Sequence, residues 1–179
     1  MTLDEAKLHA RISGSDEDTE VQSLIAAATA YAQEYQWSQL ISATHVMRLD
    51  RFPCGKAIEL WPNPVQSVTT LQYVDTSGAT QTLTPTTQYT ADVYSKPARI
   101  VPAFTLPWPA TRCYINDVTV TYVTGWGSTG DSVPITTRQA ILLLVAHWYR
   151  NREATGMATG EIAFAAKALL DLNSYRTFY

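Results

Sequence analysis

The chain has 179 residues, enough for one domain with a substantial core, and its 46% hydrophobic share is that of an ordinary globular protein. Its net charge of −3 is unevenly placed: residues 1–40 carry seven acidic side chains against Lys7 and Arg11, and the remainder is slightly basic. No basic tract exists, which argues against sequence-driven nucleic-acid binding, and no apolar run approaches the ~20 residues that a membrane-spanning helix needs.

In chain order, Thr2-Leu3-Asp4-Glu5 has the spacing of a capping box and opens a short helix to about Arg11. Ser13-Gly14-Ser15 ends it. Ser15 or Asp16 is the expected cap of a second helix, whose acidic first turn suits the helix dipole. Val21, Leu24, Ile25, Ala28, Tyr31 and Tyr35 form one apolar stripe along it, to about Gln36. From Ile41 to Tyr122 the chain is rich in Thr, Val, Tyr and Pro. His45, Met47 and Leu49 alternate with polar or opposite-facing neighbours, and Val68–Val74, Asp75–Gly78 and Gln81–Thr84 read as a hairpin. Short strands are expected at 58–60, 88–93, 98–101 and 117–123, with prolines between them that favour antiparallel pairing.

Helix resumes after Val133-Pro134. Pro134 and Ile135 lead in, Thr136 or Thr137 can cap, and Ile141–Ala146 is apolar on every side, so burial all round is expected. Gly156 and Gly160 are read as breaks, and Glu161–Leu170 as the last helix. The fold class is therefore α+β: two N-terminal and two C-terminal helices carry an insert of short antiparallel strands. One domain covers residues 1–179, helical at 1–40 and 134–173, with the β insert at 41–127.

Little in this chain resembles an active site. Gly125-Trp126-Gly127-Ser128-Thr129-Gly130 has the G-x-G-x-x-G spacing of a nucleotide loop, but Asp131–Pro134 separates it from the following helix, whose N-terminus would have to meet the phosphates. The strand before it also alternates, as an antiparallel strand does. His9, His45 and His147 stand far apart with no second ligand at helical spacing. Cys54 and Cys113 are too few for a disulfide framework and are not spaced for metal, so folding in a reducing cytoplasm is expected. Met1-Thr2-Leu3-Asp4-Glu5 lacks the charge and apolar core of a signal peptide. The expectation is no enzyme, no catalytic residue, no metal and no cofactor.

Contact residues are the better candidates. Trp61, Trp108 and Trp126 sit beside prolines or glycines in expected loops, where they either cover the edges of the β insert or form tips that touch a partner. The last long helix ends in Trp148, Tyr149, Arg150 and Arg152, side chains that commonly anchor one chain on another. Tyr175, Arg176, Phe178 and Tyr179 crowd the C-terminus, and the segment from about Asn173 is expected to be free in the subunit and to dock on a partner.

Several stretches together resemble one family. They are Thr2–Lys7 with the acidic break after it; Leu49-Asp50-Arg51-Phe52-Pro53; Ile58-Glu59-Leu60-Trp61-Pro62-Asn63-Pro64 through Val68; Val120–Gly127; and Val133-Pro134 with Arg138–Tyr149. In this order the chain resembles the head–tail connector (adaptor) proteins of long-tailed phages, prophages and gene transfer agents, over nearly its whole length. The family's closing leucine pair and Pro-Tyr-Arg stands here as Leu169-Leu170 and Ser174-Tyr175-Arg176, without the proline. The resemblance implies a structural virion protein, made in the host bacterial cytoplasm and placed in the neck between capsid and tail. It further implies a dodecameric ring beneath the portal protein that extends the DNA channel and receives the stopper or tail. DNA would be passing cargo only, and no membrane is involved. Two other readings remain: a nucleotide-binding accessory protein or enzyme built on Gly125–Gly130, and a neighbouring neck or tail-terminator protein.

Overall fold

The structure is a computed structural model that describes residues 1–55, 57–151 and 159–176. The chain divides into two units, Met1–Leu40 with Gly127–Tyr179, and Ile41–Trp126.

The first unit is helical. Helix α1 (Leu3–Ala10) opens on the expected capping box: Thr2 Oγ1 accepts the Glu5 N–H at 3.2 Å, and Glu5 Oε2 accepts the Thr2 N–H at 2.8 Å. Helix α2 (Asp18–Gln36) buries Val21, Ala28, Ala32 and Gln36, which recur every four or seven residues and so share one face. Its start differs from expectation. Neither Ser15 nor Asp16 caps it; Glu17 occupies the N-cap without a side-chain capping bond, its carboxylate accepting instead from the Tyr149 hydroxyl. The turn is held instead by Lys7, whose ammonium pairs with Asp18 at 2.5 Å and donates to the Gly14 carbonyl. A tertiary ion pair has replaced the local cap.

Helix α3 (Ile135–Arg150) starts directly after Pro134, and neither threonine caps it. Both hydroxyls are used in tertiary bonds: Thr137 meets the Gln36 amide at 3.2 Å, and Thr136 accepts from Asn173 Nδ2 at 2.7 Å. Nor is α3 enclosed on all sides. Ile141, Leu144 and Val145 are buried, but Leu142, Leu143 and Ala146 are only partly covered. Helix α4 (Thr159–Asp171) runs through Gly160, which does not break it, while Gly156 lies outside the described residues. Ala166 and Leu170 are its buried anchors. Gln36, fully buried, ties the group together: its Nε2 donates to the Leu170 carbonyl at 2.8 Å, its Oε1 accepts from the Thr137 hydroxyl at 3.4 Å, and its backbone carbonyl accepts the Tyr175 N–H at 3.0 Å. A buried amide is tolerated because each end finds a partner.

The second unit is built of strands β1 (Ala43–Leu49), β2 (Ile58–Leu60), β3 (Val65–Val74), β4 (Thr80–Leu83), β5 (Tyr89–Asp92), β6 (Ala98–Pro102) and β7 (Val118–Thr124). They form one sheet in the order β1-β7-β3-β4 and another in the order β2-β6-β5, with every ladder antiparallel. The α+β class read from sequence is thus the observed one. Strand β7 alternates buried Val118, Val120, Tyr122 and Thr124 with half-exposed neighbours, the pattern of a central strand with one face on a core. That core joins Ile58, Leu60, Leu71, Leu83, Tyr89, Ile100, Val118 and Val120. The β3–β4 turn is tied by Asp75: one carboxylate oxygen accepts from the Ser77 and Ala79 N–H groups at 2.9 and 3.0 Å.

Candidate assembly surface

The glycine-rich segment after β7 is shaped by its own chain. Gly125 has φ of 119°, and a Cβ there would lie 2.7 Å from the backbone of Ile41 and Ser42. A Cβ at Gly127 would strike the Ser132 side chain, and one at Gly130 would lie 2.8 Å from the Met1 nitrogen. Each glycine is therefore explained by close packing, with no ligand needed to account for it. The histidines are dispersed. His9 is exposed, half-buried His45 stacks on Tyr122 with ring centroids 6.0 Å apart, and buried His147 meets Asn151 through Nδ1 at 3.1 Å. Among the described residues no group of three or more His, Cys, Asp or Glu is placed to hold a metal.

The tryptophans expected at loop tips are all partly covered. Trp61 offers its carbonyl to the Tyr122 hydroxyl. Trp108 lies flat on Phe52, centroids 4.6 Å apart and planes within 6°. Trp126 has an indole N–H that is buried without a hydrogen-bond partner.

The most exposed large side chains are ones the sequence reading missed. In the second unit, Phe104 is 95% and Tyr94 93% exposed, with Tyr114, Ile115 and Leu106 also open. Four of these five lie on the loop between β6 and β7, a long connection that does not hang free. Trp108 pins it to Phe52. At its end, fully buried Asp117 accepts the Tyr114 N–H at 2.7 Å and the Arg112 guanidinium at 2.6 Å. Burial works against the Asp117 charge, yet those two donors outweigh it and hold its carboxyl below the usual range. Thr105, Cys113 and Asn116 adopt left-handed backbone, φ between 58° and 68°, in this loop. An ordered loop with strained backbone that displays apolar side chains to solvent is the mark of a contact surface. Beside it is a cleft of about 500 Å³ lined by Phe52, Leu106, Pro107, Trp108, Cys54 and Cys113. The hint in sequence was Phe104-Thr105-Leu106-Pro107-Trp108-Pro109, apolar residues among prolines with no strand period.

In the first unit, Leu8 (83% exposed) and Ile135 (62%) flank a groove of about 320 Å³ between α1 and α3, floored by Leu142 and Arg138. Arg138 is held there by Glu5 and Asp131, each at 3.1 Å. Arg150 is exposed at the end of α3, and Arg152 lies outside the described residues.

The C-terminal expectation needs correction. Tyr175 is buried, 4% exposed, and its backbone is bonded to Gln36, so the chain from Asn173 to Arg176 belongs to its own unit rather than waiting for a partner. Arg176 lies over the rings of Tyr35 at 5.4 Å and Trp37 at 5.9 Å. Phe178 and Tyr179 lie outside the described residues. The sequence could not reveal this because Gln36, the residue that captures the tail, is polar and lies far away in the chain.

Comparison with known proteins gives this surface its context. The family model of the phage gp6-like head–tail connector protein matches residues 1–71. In fold, the chain is similar to a chain of the virion of the native gene transfer agent particle, with TM-score 0.76 and 23% identity over 97% of this chain and 89% of that one. It is similar also to a chain in the neck of the empty gene transfer agent particle computed with C6 symmetry (TM-score 0.73, 23% identity, 97% and 89% covered). A third match is to the neck of the native particle computed with C12 symmetry (TM-score 0.67, 24% identity, 87% and 81% covered). No curated protein sequence gives a significant match. The first 71 residues thus match the phage gp6-like head–tail connector family, and nearly the whole chain has the fold of a protein in the neck of the gene transfer agent particle.

Proposed function

We propose that this protein is a structural subunit of a virion neck, a head–tail connector that assembles as a ring between capsid and tail. The observation that carries the reading is the coincidence of the family match at residues 1–71 with a neck-protein fold over 97% of the chain. Symmetric necks in the similar structures support a closed ring, and by that likeness the ring is dodecameric. Its place is beneath the portal protein, where it extends the DNA channel and receives the stopper or tail. Residues with no role in either unit's core are the contacts: Phe104, Leu106, Tyr114 and Ile115 on the β6–β7 loop, Leu8 and Ile135 on the helical unit, and the exposed cations Arg150 and Arg176. Trp108 serves this surface from behind, as the brace that holds the β6–β7 loop to Phe52. The rival reading, a nucleotide site at Gly125–Gly130, is disfavoured because each of those glycines already packs against its own chain.

The test is imaging of particles made with and without the gene. Filled heads lacking tails, restored by the wild-type gene, are expected. Fully tailed particles without the protein would overturn the reading. A melting shift with a nucleotide would favour the rival instead.

A further inference from the structure

Helix α4 has two apolar sides, and its own unit covers only one of them. Ala166 and Leu170 are buried. Phe164, Ala165, Ala168 and Leu172 stand open, Phe164 73% and Leu172 69% exposed. The step of four residues from Phe164 to Ala168 to Leu172 keeps these three on one side of the helix and of the turn that ends it. A helix apolar on both sides is one that neighbours enclose from both. The groove between α1 and α3 lacks a cover in the same way, with Leu8 and Ile135 open and Leu142 at its floor. Helices α1 and α4 both pack on α3 and hardly on each other. They use different sides of it: Thr136 bonds Asn173, which follows α4, whereas Ile135, Arg138, Gln139 and Leu142 line the groove with α1. Ridge and groove thus lie on different flanks of one unit, where neither fills the other. Two different patches that meet between copies form a heterologous contact, the kind that closes rings.

Length and charge match as well. At about 1.5 Å per residue, Ile135 to Leu142 covers about 10 Å of groove and Phe164 to Leu172 about 12 Å of ridge. Asp4 lies one turn before Leu8 on α1, and Lys167 one turn after Phe164 on α4. Both are exposed, and among the described residues neither has an ion-pair partner. Helices laid antiparallel, with Phe164 on Leu8, bring Lys167 to Asp4. We propose that the open side of α4 in one subunit lies antiparallel in the α1–α3 groove of the next. Phe164 then covers Leu8 and Leu142, Leu172 covers Ile135, and the contact repeats until the ring closes. This names the partner of the Leu8–Ile135 surface as a second copy of the chain, and it rests on the neck reading for its place in the virion.

The test uses the full chain with Cys54→Ser and Cys113→Ser, so that introduced thiols are the only ones. Leu8→Cys and Phe164→Cys, both at exposed positions, are made singly and together. Each protein is treated with a short bis-maleimide at about 1 mM, where a contact of millimolar Kd is half formed, and run on a denaturing gel. The chain carrying both cysteines should give a ladder of multimers. Either single variant alone should stay a monomer on the gel, and an equal mixture of the two should give dimers and nothing larger. Lys167→Glu should cut the ladder about threefold, and adding Asp4→Lys should restore it. Dimers from either single variant alone, a ladder indifferent to Lys167→Glu, or a monomer throughout would each overturn the proposal. If the ladder fails while particles made without the gene still lack tails, this contact falls and the neck reading stands. A ladder beside fully tailed particles without the gene keeps the contact and removes the neck reading.

Discussion

Gln36 ends α2 with its side chain wholly enclosed, and its amide nitrogen reaches two segments that lie more than a hundred residues further along the chain. Replacing it with leucine keeps the volume but removes the amide's bonds to the Leu170 carbonyl, which keeps the Asn173 N–H, and to Thr137 Oγ1, a loss of about 1–2 kcal/mol. Gln36→Leu should therefore lower the urea midpoint while leaving the circular dichroism spectrum helical. Tyr175, beside it, gives a pH signature. Burial pushes its hydroxyl up to about 12 from the ordinary 10. A group raised in the folded state contributes its stability in full below the unfolded value and loses it as pH climbs through the folded one. Stability should thus fall between about pH 10 and 12. Tyr175→Phe, which cannot ionise, should make that fall shallower when urea melts are compared across the range, the remainder coming from Tyr35, also pushed up to about 12 by burial, and from buried Tyr89 and Tyr122.

At the scale of elements, helix α3 and the β6–β7 loop call for opposite outcomes. Leu144 is 5% exposed in mid-helix, and Leu144→Asp would bury an unpaired carboxylate at a cost of several kcal/mol, about 4 or more, so the helical unit should not fold. Phe104→Ser changes a side chain that is 95% exposed; its melting temperature should match wild type while ring assembly or tail attachment fails. An equal loss of melting temperature would show that Phe104 serves the fold instead. Deleting residues 173–179 should lower the melting temperature by several degrees, since it removes Tyr175 from its pocket.

The same elements show what a sequence can reveal. The strand at Ile58–Leu60, the β3–β4 hairpin and the capping box at Thr2 were legible because period-two alternation, turn residues and cap spacing are local signals. The missing caps were not: in α3, Thr136 and Thr137 found tertiary partners that outcompete the local bond, and at α2 Lys7 pairs with Asp18 where a cap by Ser15 or Asp16 was expected. Surface exposure was the least legible. Tryptophan in a proline-rich loop signals contact but not with whom, and Trp108 found its partner in Phe52 of the same chain while Phe104, four residues earlier, stands exposed.

For the whole molecule, charge sets the expected dealings with DNA. A subunit of net charge −3 with no basic tract has few cations to release counterions from a duplex. The free protein should leave duplex DNA unshifted in a mobility assay at physiological salt. A wall that let DNA pass without gripping it would have that property, and retention of the duplex would contradict it.

The inserted topology also fixes an order of events at the ribosome. The partners that α2 needs, α3 and α4, are the last to be made, whereas Ile41–Trp126 is complete once β7 has emerged. Its first and last strands pair directly, Ala43 opposite Thr124, so the insert closes on itself without help from either flank. During synthesis the β unit therefore matures first, while the two leading helices wait with their apolar faces unpartnered. A slow-translating stretch before Ile135 would prolong that wait, and a truncated product ending near Gly127 would be a folded β unit trailing an unfolded amphipathic leader.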